Sequence, residues 1–302
     1  MNKFVWMLCI GVSFSTAQIS IIAVEELPVP SIEQWNQPRF SPSSKEIFLT
    51  NAEYNGIWQY SLETGLVKEI TRERHSGFDF AISEDGSKIS YRTTVQEGDH
   101  ITRLQEAIEV TIKNGNRTVW NRGNSIQTPK FIENEMTIPE KYQMESLPPA
   151  TATRTTAILG VEENKIAILN QSSKQLIDPL GDGRYLWPVL SPDRTKLAAV
   201  DMERGAFISD LNGKNVVRLG KCNAPQWTRD GRWIIGMEDK DDGHVLIGSE
   251  LIAVSIDGNV RILLTKTSSR HEMYPAVSPG ENKIVATTSD GKVFVLTYEE
   301  VR

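Results

Sequence analysis

Two short stretches carry the same pair of polar side chains: Arg74 and His75 in "RHSGF", and Arg270 and His271 in "RHEMY". A guanidinium presents forked donors that match a carboxylate or a phosphate. An imidazole beside it can donate or accept a hydrogen bond, or ligate a metal. Arg122 in "NRGNS" and Arg184 in "GDGRYLW" stand upstream of comparable segments. Arg74, Arg122, Arg184 and Arg270 are therefore the candidates for a basic collar that takes an acidic peptide or an anionic glycan, with His75 and His271 as further ligand contacts. The competing reading is that all six are solvated or locally paired loop side chains, because isolated surface charges contribute little. No metal site is expected, since only these two of the four histidines are suitably placed and a transition metal takes three or four ligands.

Other chemistry is poorly represented. There is no G-x-S-x-G elbow, H-E-x-x-H pair, P-loop, G-x-G-x-x-G or C-x-x-C. The acidic run "EDKDDGHVLIG", residues 238–248, lacks the ligand register of a calcium loop and reads as an exposed hairpin. No cofactor is implied, and His75, His271 and Glu272 are the only candidates for acid–base work, too few to assign a catalytic residue. A formal net charge of −6, with both signs interspersed, argues against nucleic acid as a partner.

These side chains need elements to position them, and internal repetition supplies the elements. The unit "WPVLSPDRTKLAAVDMERGAFISDLNGKNVVRLG" recurs from "PQWTRDGRW", from "PRFSPSSKEI" and, shortened, from "YPAVSPGENKI". A weaker copy begins "FDFAISEDGSKI" and a degenerate one "TPKFIENEM". Each unit runs strand, polar turn, β-rich strand, third strand, tight turn at Thr64-Gly65, Asn212-Gly213 or Asp257-Gly258, and fourth strand. Asn-Gly and Asp-Gly between apolar runs are strong hairpin signals because these residues accept positive φ. Four antiparallel strands repeated in this way make a propeller blade. Six starts, at Pro38, Asp79, Pro129, Pro188, Pro225 and Pro275, predict an all-β, six-bladed β-propeller, although residues 128–184 are long enough to conceal an additional unit. The last unit shows only three strands, so the apolar segment 19–29 is expected to supply its outer one and remove two open edges.

Residues 1–17 read as an export signal: Lys3, then an apolar stretch from Phe4 to Phe14, then Ser15-Thr16-Ala17 as a small-x-small cleavage site. The stretch is too short for a comfortable membrane span. Cleavage after Ala17 leaves residues 18–302 as a single propeller domain, with Cys222 alone and no intramolecular disulfide.

The core "P-x-[FW]-[ST]-x-D-G-x-x-[IL]", carried by the units quoted above, resembles the TolB-like, WD40-related PD40 propeller repeat and covers most of the chain after residue 17. Ser44, Arg194 and Glu281 depart from it at the turn glycine. The resemblance implies a periplasmic or otherwise exported binding protein, and TolB proteins also carry an N-terminal α/β domain. In such a propeller the loops before the innermost strands, holding His75 and His271, gather at one mouth of the central channel. The expected function is a monomeric scaffold that binds a protein or peptide, acidic in character, through those loops. Because some TolB-like lyases hold a metal near the channel, the alternative is a lyase or hydrolase of acidic sugars. Trp187 and Trp227 are expected in the core between blades, Trp35 and Trp58 are less constrained by the pattern, and residues 140–156 read as a loop leaving the blade surface.

Overall fold

The computed structural model describes residues 18–31, 33–96, 103–132, 134–139, 156–170, 173–243, 246–267 and 270–301. The export signal and nearly all of the 140–156 loop lie outside the described residues. Within them the secondary-structure elements are strands, and no helix is long and apolar enough to cross a membrane.

In chain order, β1 (Gln18–Glu26) precedes a first blade of β2 (Trp35–Phe40), β3 (Glu46–Asn51), β4 (Ile57–Ser61) and β5 (Val67–Thr71). The second blade is β6 (Ala81–Ile82), β7 (Lys88–Gln96), β8 (Arg103–Thr111) and β9 (Arg117–Gly123). The third position is split into a hairpin, β10 (Lys130–Ile132) and β11 (Glu135–Thr137), and a three-stranded sheet, β12 (Thr156–Glu162), β13 (Lys165–Asn170) and β14 (Ser173–Ile177). The fourth blade is β15 (Tyr185–Leu190), β16 (Lys196–Asp201), β17 (Gly205–Asp210) and β18 (Val217–Gly220). The fifth is β19 (Asn223–Trp227), β20 (Trp233–Asp241), β21 (Leu246–Ser255) and β22 (Arg261–Leu263). The sixth is β23 (Glu272–Val277), β24 (Lys283–Thr288) and β25 (Val293–Val301), completed by β1 in the order β1-β25-β24-β23. The chain is thus a six-bladed propeller whose third blade is split between β11 and β12, where residues 140–155 lie outside the described residues.

The middle strands of the blades are covered on both faces, which is why they read as continuous apolar runs rather than alternating ones. Ala198, Val200, Ala206 and Ile208 of the fourth blade pack on Trp227, Ile234, Ile252 and Val254 of the fifth. Trp233, Ile235, Met237, Leu251 and Ala253 of the fifth pack on Ile284, Ala286, Phe294, Leu296 and Tyr298 of the sixth, with Ile19 of β1 in the same cluster. Trp35 and Trp58 are buried at 3% and 6% exposure in an edge-to-face pair 5.2 Å apart, between the sixth and first blades.

The turn signature has a chemical cause. The hydroxyls of Ser83, Ser191 and Thr228 donate to Asp85, Asp193 and Asp230 two residues on, at 2.6–2.9 Å. Those carboxylates in turn accept the backbone N–H groups of Ser87, Thr195 and Arg232. The following residue takes positive φ, 72° at Gly86 and 71° at Gly231, and Ser44 (62°) and Arg194 (56°) adopt it despite their side chains. Around this mouth the turns are tied to one another. Arg194 pairs with Glu84 at 2.5 Å, the Asp85 N–H donates to Asn134, the Gly280 N–H donates to Ser44 Oγ, and Arg229 donates to the Gly280 carbonyl.

One tie joins the fifth blade to the closing strand. Arg232 pairs with Asp230 and, at 2.6 Å, with Glu300 on β25, whose side chain is 9% exposed. Burial and the adjacent Asp230 push the Glu300 carboxyl up to about 7, from an ordinary value of 4.5. A raised acid keeps its proton in the folded state after the unfolded chain has lost it. Its contribution is therefore intact below about 4.5 and lost as pH rises to about 7. The Glu300→Gln variant should match the parent near pH 5 and exceed it at pH 8 by on the order of 2 kcal/mol in urea unfolding, and equal stability at both pH values would contradict this.

Candidate functional site

The opposite mouth is built from the loops that connect blades and from the turns between second and third strands. Here the side chains are aimed by a bulge that recurs in the innermost strands. The ladder skips between Asn36 and Arg39, Leu186 and Val189, Asn223 and Gln226, and Met273 and Ala276. At this place Gln37, Asp79, Trp187, Ala224 and Tyr274 all have φ between 42° and 55°. A non-glycine residue there costs roughly 1 kcal/mol or more, and bulges re-aim the side chains they carry.

Two of these residues reach out of their own blades. Asp79 meets Lys130 at 2.6 Å on one side and Arg39 at 3.4 Å on the other, although its side chain is 44% exposed. Burial opposes its ionisation, but the two cations outweigh this and hold the carboxyl below its ordinary range. Tyr274 lies against Tyr54 and near Asp239, and burial followed by those two neighbours raises its hydroxyl above the ordinary tyrosine value. Gln37 Nε2 donates to Tyr54 Oη at 3.4 Å, and Tyr54 packs edge-to-face on Phe78 with centroids 5.5 Å apart. An arc of aromatic rings thus runs from the sixth blade across the first to the second. Arg92 lies over its end, 5.8 Å from the Phe78 centroid.

The six site residues read from the sequence all fall in connecting loops or at strand ends on this side, but their partners differ. Arg122 binds Glu106, with Nε at 2.8 Å, and Arg184 pairs with Glu203 at 2.5 Å. Arg270 stacks over Phe294 at 4.6 Å and lies 3.5 Å from Glu272. Arg74 is exposed and makes no ion pair among the described residues. The His75 backbone N–H donates to Asn55 Oδ1, and its ring Nδ1 is 2.9 Å from Thr94 Oγ1, while the residue stays exposed. His271 Nδ1 is 3.4 Å from Ser289 Oγ. The collar is therefore drawn into local pairs everywhere except at Arg74. Among the described residues no three or more His, Cys, Asp or Glu side chains are grouped as a metal would require.

One of the two core tryptophan expectations changes. Trp227 is buried at 7% exposure, but Trp187 is 38% exposed because it precedes the motif proline and so takes the bulge position instead of the core position. Asp79 likewise stands at the bulge, with Phe80 in the place of the proline. The bulge ring was not found in the sequence. Its only signal is the residue before each inner-strand proline. Phe78, Leu186, Trp187, Met202 and Ile247, between 38% and 60% exposed, lie in loops or at strand ends on this side, while Leu66, 70% exposed, lies in the β4–β5 turn on the other.

No protein-family model and no curated protein matches the sequence. Solved structures do. TolB from Acinetobacter baumannii superimposes with a TM-score of 0.55 at 16% identity, over 81% of this chain and 57% of that one. The chain thus spans 57% of that TolB's length. The Cps50 (Swd1) β-propeller domain of Myceliophteria thermophila gives 0.59 at 10% identity, over 93% and 99% of the two chains. An oligogalacturonate lyase in complex with manganese gives 0.50 at 14% identity, over 88% and 78%. At these identities the likeness is one of fold, a β-propeller shared with TolB.

Proposed function

We propose that this chain is an exported, periplasmic or extracellular scaffold that binds a protein or peptide at the loop-bearing mouth of its channel. It acts as a monomer, with an acidic partner and without a cofactor. The observation that carries this reading is the difference between the two mouths. One is tied across by side-chain and backbone hydrogen bonds. The other exposes Phe78, Leu186, Trp187, Met202 and Ile247 on rigid blades. Loops on a rigid scaffold carry recognition, and apolar side chains exposed among them offer the contacts that a protein partner would cover.

The test uses a bait beginning at Gln18, presented to an envelope extract beside a variant with Leu186, Met202 and Ile247 each changed to Ser. All three are exposed, so the variant should fold with an unchanged Tm. Proteins held by the parent should be lost from the variant by tenfold or more, since each contact removes on the order of 1 kcal/mol. Equal capture would contradict the assignment. A second reading, a lyase or hydrolase of acidic sugars, draws on Phe78 and Trp187 as stacking platforms beside arginines. Release of unsaturated or shortened sugar from oligogalacturonate would favour it.

A further inference from the structure

Resting on that reading, we infer that the loop between the first and second blades, residues 72–79, is the recognition station of the mouth. Its ligand is a carboxylate lying next to an apolar side chain in an extended peptide. The carboxylate is received by Arg74 and His75 Nε2, and the apolar group lies against Phe78.

The loop backbone is fixed from both sides. Arg74 accepts, at its carbonyl, the Thr94 N–H at 3.2 Å and the Thr93 hydroxyl at 3.0 Å. Ser76 Oγ donates to the Glu73 carbonyl at 2.8 Å and accepts the Gly56 N–H at 3.0 Å. The Gly77 N–H donates to the Tyr54 carbonyl at 2.9 Å, and the Phe78 N–H to the His75 carbonyl at 3.2 Å. Ser76 and Gly77 are buried. His75 is held at φ 59°, a conformation that side chains rarely adopt and that is kept only where the surroundings over-determine it.

The side chains of this rigid loop do the opposite. Arg74, His75 and Phe78 are all exposed, Phe78 at 45% although Tyr54 and Arg92 lock its ring in place. Arg92 spends one donor on the Ile126 carbonyl and, like Arg74, has no carboxylate partner among the described residues. Two guanidinium groups with no carboxylate partner among the described residues, beside a preorganised ring, complement an anion next to an apolar group even on a chain of net charge −6. The corresponding "RHEMY" loop is spent internally, because Arg270 is stacked on Phe294 and placed against Glu272. That contrast singles out one loop of the two.

The carboxylate can belong to an Asp or Glu side chain or to a chain terminus, and two probe pairs separate these. One is fluorescein-labelled Gly-Ser-Asp-Phe-Gly-Ser amide beside its Asn-for-Asp counterpart. The other is labelled Gly-Ser-Gly-Ser-Phe with a free terminus beside its terminal amide. In fluorescence anisotropy at least one acidic probe should bind about tenfold more tightly than its neutral counterpart. Arg74→Ala and Phe78→Ala should each weaken it about tenfold with Tm unchanged, while Arg270→Ala changes it less than twofold. The inference is overturned if neither acidic probe outbinds its neutral counterpart, if Arg74→Ala and Phe78→Ala are silent, or if Arg270→Ala costs as much as Arg74→Ala. The scaffold reading survives any of these results if capture of a partner still depends on Leu186, Met202 and Ile247, so the two claims fail separately.

Discussion

A chain beginning at Leu27, which lacks β1, should fail to give a soluble, cooperatively unfolding domain. Eight residue pairs join β1 to β25, from Gln18 opposite Val301 to Glu26 opposite Phe294. Ile19 is 1% exposed in the cluster that contains Trp233 and Tyr298. Removing the strand uncovers this apolar surface, at roughly 2 kcal/mol for Ile19 alone. It also frees a row of inter-strand hydrogen bonds worth about 1 kcal/mol each in net terms. The sum reaches the ~5–15 kcal/mol by which whole domains are stable. The bare β25 edge that remains is also a template for aggregation. Far-UV circular dichroism and size exclusion of the truncated chain check this. A monomer whose Tm lies within a few degrees of the parent's would show that the ring does not depend on β1. Ile19→Asp is the milder form, expected to cost on the order of 3–5 kcal/mol by burying an unpaired charge.

The second large effect is expected at Gly77. Its backbone passes so close to β3 that an added Cβ would lie 1.7 Å from Thr50 Oγ1, 2.4 Å from Thr50 Cβ and 2.9 Å from the Gly56 carbonyl. Thr50 cannot withdraw easily, because it is fully buried and its hydroxyl donates to that same carbonyl at 2.8 Å. Gly77→Ala must therefore displace the 72–79 loop or the edge of the first blade. Overpacking of this kind costs about 1–3 kcal/mol, and a shift of the loop separates Arg74, His75 and Phe78 from their fixed positions. The expected result is a lowered Tm together with loss of acidic-peptide binding by more than about tenfold, since recognition geometry tolerates little displacement. Gly115→Ala is the control. That glycine has φ 72° and no atom within 4 Å of an added Cβ, so the change should cost about 1 kcal/mol and leave binding untouched. Unaltered binding by Gly77→Ala would remove the loop from the site.

Most of the fold was legible because the repeat states it several times over. Hairpin glycines such as Gly65, Gly213 and Gly258 take the positive φ that their turns require, and Ser-x-Asp marks a turn that closes on its own hydrogen bonds. The closing role of the N-terminal segment could be read from a last unit one strand short. The broken third blade could be placed but not resolved, because its units have lost the signature. The site was legible only in outline. The two Arg-His pairs fall at the loop-bearing mouth, where the repeat puts them, but nothing near Arg270 in the sequence announces Phe294, which stacks on it from 24 residues away. Nor does anything near Arg122 name Glu106, which comes from the neighbouring strand. Trp187 misled for a simpler reason: in a strand, one position decides between the core and the channel, and the bulge sets that position.

Hydrogen–deuterium exchange of the domain, with and without saturating acidic probe peptide, tests the central claim most directly. Slowed exchange should concentrate in residues 72–79 and in the neighbouring turn around Tyr54, while the tied turns at residues 41–44, 191–194 and 228–231 exchange as before. Protection confined to those turns, or spread along the outer strands, would mean that ligands do not enter at the loop-bearing mouth.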